Sequence, residues 1–315
     1  MNVFFHHLTL CAPLFLMVLV GWLLIRAGIF DKAVSKALSR FVFRFLMPVM
    51  LFGLMSRTTD MPPVDWSVLI AFFGSCIVVF SLGRITAKSL FHSDSTAQVI
   101  LGMGGIFANN VQLGIPIVQT SLGDGAIPTA SLLIVFNVLL LWTAATACVE
   151  FGKTKGKIDA KHFSQALFNT AKNPIVLGIL TGTLYSFTGL PLPTVVDQSV
   201  SLIATATAPC ALIVVGMGLA EHSFRESLSK GAVVSLFKLF IQPTLVFILC
   251  KVIGVGSVET YAAVVMASLP CAINLYIMAT EFDSEKGAAS NAICLSTIIS
   301  SLTVPLVLTL LGIGY

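Results

Sequence analysis

The sequence predicts an all-α integral membrane protein with ten transmembrane helices, arranged as two inverted repeats of five. The first observation behind this prediction is composition: of 315 residues, 57% are hydrophobic and only 10% are charged. A soluble domain carries about 25% charged residues, so this chain has too few polar side chains to cover a water-facing surface. Lipid must therefore be the solvent for most of it, which argues against a soluble enzyme or a nucleic-acid-binding protein.

The second observation is the spacing of apolar segments. A helix that spans a bilayer needs about 20 mostly apolar residues, and the chain offers ten such segments: 8–25, 37–56, 66–87, 97–121, 126–151, 173–189, 196–219, 231–252, 258–280 and 288–312. The largest hydrophilic segment, 152–172, falls between the fifth and sixth. We therefore divide the chain into a first five-helix repeat (1–151), a linker (152–172) and a second repeat (173–315).

The third observation is a recurrence of proline and glycine at an offset of 161 residues. The matched pairs are Pro13 and Pro174, Gly21 and Gly182, Gly28 and Gly189, and Pro48 and Pro209. Because five helices are an odd number, a second copy must enter the bilayer from the opposite side. Inverted repeats around a site at mid-membrane are a recurring transporter architecture, although chance alignment of apolar helices remains the alternative.

The basic residues predict the orientation of the chain. Sixteen of its eighteen lysines and arginines lie in or beside the loops that follow odd-numbered spans, and only Arg57 and Lys251 lie on the other side. Basic residues accumulate on the cytoplasmic side of membrane proteins. Both termini are therefore expected outside the cytoplasm, with 152–172 inside it.

The fourth and ninth predicted spans contain residues that interrupt helices. Proline removes a backbone donor and clashes with the preceding turn, and glycine weakens a helix further. Such residues in these two spans are Gly104, Gly105, Gly114, Pro116 and Pro270. Interrupted backbone is tolerated in a bilayer only inside protein or beside a water-filled cavity. The two spans are therefore expected to break near mid-membrane, although a simple kink with asparagines joining neighbouring helices is the alternative.

Two such breaks would direct half-helix N-termini toward one place, where backbone N–H groups and the helix dipole attract anions. Amide side chains nearby would add neutral donors. The candidate substrate-binding residues are Asn109, Asn110, Gln112, Pro270, Asn274 and Lys238. Lys238 either raises the positive potential of an anion cavity or extends toward the membrane surface.

No acidic residue occupies the centre of a predicted span, so a carboxylate relay for pumping cations is not expected. The seven cysteines are scattered singly, which is typical of small membrane-helix residues rather than metal ligands. We expect no catalytic residues, no metal site and no cofactor, and H+ or Na+ is the possible coupling ion.

Several segments together resemble the auxin efflux carrier family, within the bile-acid/auxin transporter superfamily. They are RFVFRFLMPVMLF (40–52), ANNVQLGIP (108–116), AKNP (171–174), APCALIVVGMGLAE (208–221), FKLFIQP (237–243) and SLPCA with ATEF (268–282). The chain looks like a compact bacterial member, and such members are commonly malonate or malate permeases. Plant members carry a Pro-Asn pair where this chain has Ala108 and Asn109, so one crossover proline is missing.

The resemblance implies a scaffold of helices 1, 2, 6 and 7 and a transport domain of helices 3–5 and 8–10, in which helices 4 and 9 cross. It also implies that Asn109 contacts a substrate carboxylate. We therefore expect a secondary transporter of small organic anions, malonate first, in a bacterial cytoplasmic membrane, with a homodimer as the possible assembly. A sodium-coupled symporter of a larger amphipathic anion and a non-transporting sensor or scaffold are the alternatives.

Overall fold

The protein was analysed as a computed structural model that describes residues 3–56, 65–153, 174–220 and 227–313. Within these ranges the chain is helical apart from short connections, which confirms the predicted all-α class. The α-helices are α1 (Val3–Arg26), α2 (Lys32–Phe41), α3 (Met47–Met55), α4 (Ser67–Phe91), α5 (Ser95–Gly104), α6 (Ile115–Leu122), α7 (Ile127–Lys153), α8 (Pro174–Ser186), α9 (Thr194–Ala220), α10 (Leu228–Leu236), α11 (Gln242–Ile253), α12 (Ser257–Ser268), α13 (Asn274–Glu281) and α14 (Lys286–Leu310).

Five helical stretches in the described parts are long and apolar enough to cross a bilayer: Phe5–Arg26, Ser67–Phe91, Thr194–Ala220, Leu228–Ile253 and Lys286–Leu310. The other five predicted spans coincide with α2 and α3, α5 and α6, α7, α8, and α12 and α13. The chain is thus a multi-pass membrane protein, whereas ten crossings stay a prediction. Residues 154–172 of the predicted linker lie outside the described ranges.

Three π-helical turns widen the helices, and each precedes a proline by two residues. The prolines are Pro48, Pro116 and Pro243, and the turns are Val42–Leu46, Asn110–Gly114 and Phe237–Ile241. Proline offers no N–H to the carbonyl one turn earlier and clashes with it, so the preceding turn opens to a wider register. Such π-turns are frequent at functional sites, and all three contribute residues to the region described below.

Contacts between helices relate the two halves of the chain. α1 packs along α9, and α8 packs along α3. A Cβ atom on Gly21 would overlap the carbonyl oxygen of Ile213, and one on Gly182 would lie 2.6 Å from that of Phe52. Gly21 and Gly182 are 161 residues apart, and so are Phe52 and Ile213. This distance is the offset of the sequence repeat. The two contacts are therefore equivalent positions of one packing arrangement.

We expect Gly21→Ala to destabilise the protein, because the new methyl group would meet rigid backbone of α9 rather than a movable side chain. Overpacking of this kind costs about 1–3 kcal/mol and should lower the melting temperature measured in detergent. The matched control is Gly125→Ala, since no atom lies within 4 Å of the position of a Cβ there. Equal melting temperatures for the two variants would show that α1 and α9 are not packed this closely.

Candidate functional site: a crossing of two interrupted helices

The segments that follow α5 and α12 are extended and cross each other. Ala108 and Cys271 form an antiparallel β-bridge. Two backbone hydrogen bonds close it, from the Asn109 N–H to the Pro270 carbonyl at 2.8 Å and from the Ala272 N–H to the Phe107 carbonyl at 2.9 Å. Backbone groups freed by an interruption must find partners inside the protein. Here each interrupted helix supplies partners to the other.

The glycines singled out in the sequence lie where the interrupted helices approach their neighbours. α5 ends at Gly104, and a Cβ there would lie 3.0 Å from Cδ2 of Leu275. A Cβ on Gly105 would lie 3.2 Å from that of Phe237, and one on Gly114 would lie 2.7 Å from the Met266 sulfur. These glycines therefore permit close packing as well as interruption, and Pro116 stands in the first turn of α6.

A cavity of about 230 Å³ lies against the crossing. Its polar lining consists of Arg44, Asn109, Asn110, Gln112, Asn137 and Asn274. Four of the candidate residues from the sequence are thus brought together. Asn137 was missed by sequence reasoning, although an amide in the middle of the apolar α7 is a signal of a functional or interhelical contact.

Two of these amides are buried with polar atoms that lack a hydrogen-bond partner among the described residues. Both side-chain polar atoms of Asn110, and Nδ2 of Asn137, make no hydrogen bond, although the two residues are only 4% and 3% exposed. An unpaired buried polar atom costs about 1–3 kcal/mol, so native proteins rarely keep several beside one cavity. Their grouping is suited to hydrogen bonds with a polar ligand or with water.

Two helix beginnings also face this cavity. The helical run 110–122 starts at Asn110, and α13 starts at Asn274, both lining residues. No described backbone carbonyl accepts a hydrogen bond from the N–H groups that open these runs, at Val111, Gln112, Ile273 and Asn274. Free N–H groups at helix beginnings favour anions, since the helix dipole is positive there.

Arg44 joins this cavity to a second one of about 280 Å³, which is also lined by Asn109 and Gln112. Lys36 and Arg40 line the second cavity as well. The three basic residues are spaced by four positions, so they lie on one face of α2 and the π-turn that follows it. All three are exposed, so their charged groups are not covered by other described parts of the chain. From the sequence, Arg44 was expected only to mark the cytoplasmic side and to extend toward the membrane surface, and its spacing from Lys36 and Arg40 was the available signal of a binding role.

The described lining of both cavities contains no aspartate or glutamate. No described carboxylate forms an ion pair with Lys36, Arg40 or Arg44, since the ion pairs found in the described ranges join Lys230 to Glu285 and Lys286 to Asp283. The positive charge of the two cavities is therefore uncompensated by these parts of the chain. A cavity of this kind attracts anions and repels cations.

The remaining two candidate residues lie apart from the cavity lining. Pro270 is buried at the crossing and contributes its carbonyl to the hydrogen bond with Asn109. Lys238 is 0% exposed and lines neither cavity. The structure therefore corrects both sequence interpretations of Lys238, because the side chain reaches neither of these two cavities and is not exposed at the surface.

Comparison with known proteins decides the family. The profile of a family described as membrane transport protein matches residues 6–308, which is nearly the whole chain. The chain belongs to this membrane transport protein family. Membership confirms the resemblance to auxin efflux carriers, and it implies transport rather than catalysis.

Three relatives of this family member illustrate its range. It is 25% identical to the "Putative malonate transporter" of Rhizobium meliloti, over 97% of this chain and 96% of that protein. An uncharacterized transporter of Methanocaldococcus jannaschii is 23% identical, over 92% and 94%. Auxin efflux carrier component 8 of Arabidopsis thaliana is 21% identical, over 94% and 95%. The similarity thus extends across full-length transporters from all three domains of life.

Proposed function

We propose that this protein is a secondary active transporter of small organic anions, malonate first, which binds its substrate at the helix crossing and works by alternating access. The observation that carries the proposal is the cavity lined by Arg44 and five side-chain amides, without a described carboxylate. Arg44 supplies the positive charge for one carboxylate group. The open N–H groups at the two helix beginnings and the amide of Asn109 supply hydrogen bonds.

The size of the cavity supports a small substrate. Sites for drug-sized ligands occupy roughly 300–1,000 Å³, whereas the two cavities here measure about 230 and 280 Å³. The apolar part of the lining includes Phe43, Ile134 and Ile273, which suit a short carbon skeleton better than a sugar. These dimensions favour malonate over the larger amphipathic anion that was the sequence-based alternative.

Charge balance bears on the coupling ion. Malonate carries two negative charges at neutral pH, and a bare buried charge is too costly to transport. Arg44 can neutralise one of them, and the other requires a co-transported H+ or Na+. We therefore propose symport with one of these cations. Lys36 and Arg40, on the same face as Arg44, would attract the dianion from the cytoplasmic side of the membrane.

The proposed architecture consists of ten transmembrane helices in two inverted repeats, in the cytoplasmic membrane of a bacterium. The paired glycine contacts of α1 with α9 and of α8 with α3 support the repeat. In this arrangement α1, α2, α3, α8 and α9 form the scaffold, and the other helices form the transport domain. Alternating access would then move the crossing relative to Arg44, which lies on the scaffold.

The orientation has its own test. We expect both termini outside the cytoplasm and Lys155 inside it, because sixteen of eighteen basic residues lie on the side of that linker. Reporter fusions that are active only in one compartment, placed at the C-terminus and after Lys155, should report opposite sides. A reporter after Lys155 that is active outside the cytoplasm would contradict the orientation, and two reporters on the same side would exclude the inverted arrangement.

The transport function is tested by uptake of labelled malonate into proteoliposomes that contain the purified protein. We expect saturable uptake that unlabelled malonate inhibits and that a pH or Na+ gradient drives. Malonamide, which has the same skeleton without charge, is the matched competitor and should not inhibit. Saturable binding of an organic cation that carboxylates fail to displace would contradict the proposal.

A further inference from the structure

The C-terminal ends of α5 and α12 contact a second pair of side chains, Lys238 and Gln242. Lys238 Nζ donates to the carbonyl of Ala267, in the last turn of α12. It also donates to Oε1 of Gln242, at 2.5 Å. Nε2 of Gln242 donates in turn to the carbonyl of Ile106, two residues beyond the end of α5, at 3.4 Å. One buried pair therefore contacts the carbonyl ends of both interrupted helices.

The electrostatic potential at these helix ends is negative, whereas the helix beginnings at the cavity make the potential there positive. Helix C-termini present free carbonyls and the negative end of the helix dipole. In transporters with discontinuous helices, such carbonyl ends commonly coordinate a coupling cation such as Na+. Lys238 and Gln242 are both 0% exposed, so water does not solvate the ammonium group. The ammonium group lies where a small cation would be favoured.

The partners of Lys238 are also neutral. Its hydrogen bonds go to an amide oxygen and a backbone carbonyl, and no described carboxylate forms an ion pair with it. A buried ammonium is costly unless hydrogen bonds and nearby negative potential compensate for it. Here two helix ends provide that potential. The lysine and the helix ends therefore stabilise each other, as a bound cation and its carbonyl ligands would.

We propose that the Lys238 ammonium is a built-in cation that takes the place of a metal ion at the carbonyl side of the crossing. The wild-type protein then holds its two interrupted helices together without Na+ at this position. This deepens the proposed function, because it leaves H+, or a Na+ bound elsewhere, as the coupling ion. Removal of the ammonium should leave a vacancy lined by carbonyl and amide oxygens, which a small cation can fill.

The test compares melting temperatures in NaCl, KCl and choline chloride at equal ionic strength, with the purified protein in detergent. The melting temperature of the wild type in each salt is the baseline, which includes any effect of a Na+ bound elsewhere. Lys238→Ala should melt several degrees lower in choline chloride and recover part of the loss in NaCl or KCl, saturably with concentration. The matched control is Leu239→Ala, which empties a neighbouring buried position (1% exposed) without removing charge and should be destabilised equally in every salt.

A Lys238→Ala variant that responds to the three salts as Leu239→Ala does would overturn the proposal. Lys238→Met provides a second test, because methionine has a side chain of similar length without the charge. It should melt below wild type in every salt, since it leaves the carbonyl ends without a donor, and a melting temperature equal to wild type would overturn the proposal too. If Lys238→Ala does not fold in any salt, this variant decides alone. Because no substrate is present, the outcome is independent of whether malonate is transported.

Discussion

Arg44→Gln is expected to lower the affinity for malonate by about 30-fold or more. Truncation of one partner in a hydrogen-bonded charge pair costs roughly 2–5 kcal/mol, and the exposure of Arg44 to the cavity favours the lower end of that range. Every 1.4 kcal/mol corresponds to about a tenfold change in affinity. The measurement is the inhibition of labelled malonate uptake by increasing unlabelled malonate, in proteoliposomes matched for protein content.

Arg40→Gln is the matched control for Arg44. It removes the same charge one helical turn away, from a residue that lines only the second cavity. We expect a several-fold smaller effect, and one that disappears at high salt, because screening abolishes long-range attraction between exposed charges. Equal losses for the two variants would show that Arg44 acts through general potential and does not contact the substrate.

Asn109→Ala is expected to lower the affinity by about 10- to 150-fold, because a hydrogen bond to a charged group contributes roughly 1.5–3 kcal/mol. The fold should be retained, since the Asn109 contact that closes the crossing uses its backbone N–H, which alanine keeps. In this variant the malonate affinity should therefore fall while the melting temperature stays that of the wild type. Gln119→Ala, at an exposed amide of α6, is the control and should change neither quantity.

Unchanged malonate affinity in a well-folded Asn109→Ala variant would place the substrate elsewhere. A fall in both affinity and melting temperature would indicate instead that the side chain supports the crossing. In that case the role of Asn109 would be structural.

The two interruptions were predictable from the residues, whereas the crossing of the two helices was implied only by the resemblance to auxin efflux carriers. Glycine and proline interrupt two spans at corresponding places, and in lipid such interruptions require internal partners. The sequence did not reveal that the partners would be the other interrupted segment, paired through Ala108 and Cys271. Hydrogen bonds between residues more than 160 positions apart leave no local pattern, so only the three-dimensional structure shows them.

Arg44 and Lys238 show where sequence reasoning failed. Arg44 and Lys238 both lie inside apolar segments, and the sequence predicted for Lys238 either a place at an anion cavity or extension toward the membrane surface. In the structure Arg44 lines the cavity, whereas Lys238 is buried beside the carbonyl ends of the interrupted helices. Arg44 and Lys238 each lie within a π-turn, and these turns change the face of the helix on which a residue lies. Each π-turn rotates the helix that follows, and simple helical periodicity does not include that rotation.

The most direct test of the central claim is protection of a cysteine at the crossing by substrate. In a variant whose seven native cysteines are replaced, Asn274→Cys would place a thiol in the cavity beside Asn109. We expect malonate, but not malonamide, to slow its alkylation by a maleimide in a concentration-dependent manner. A control cysteine at the exposed Ser95 should react at the same rate with and without malonate. If saturating malonate leaves the reaction at position 274 unchanged while uptake persists, the substrate does not bind at the helix crossing.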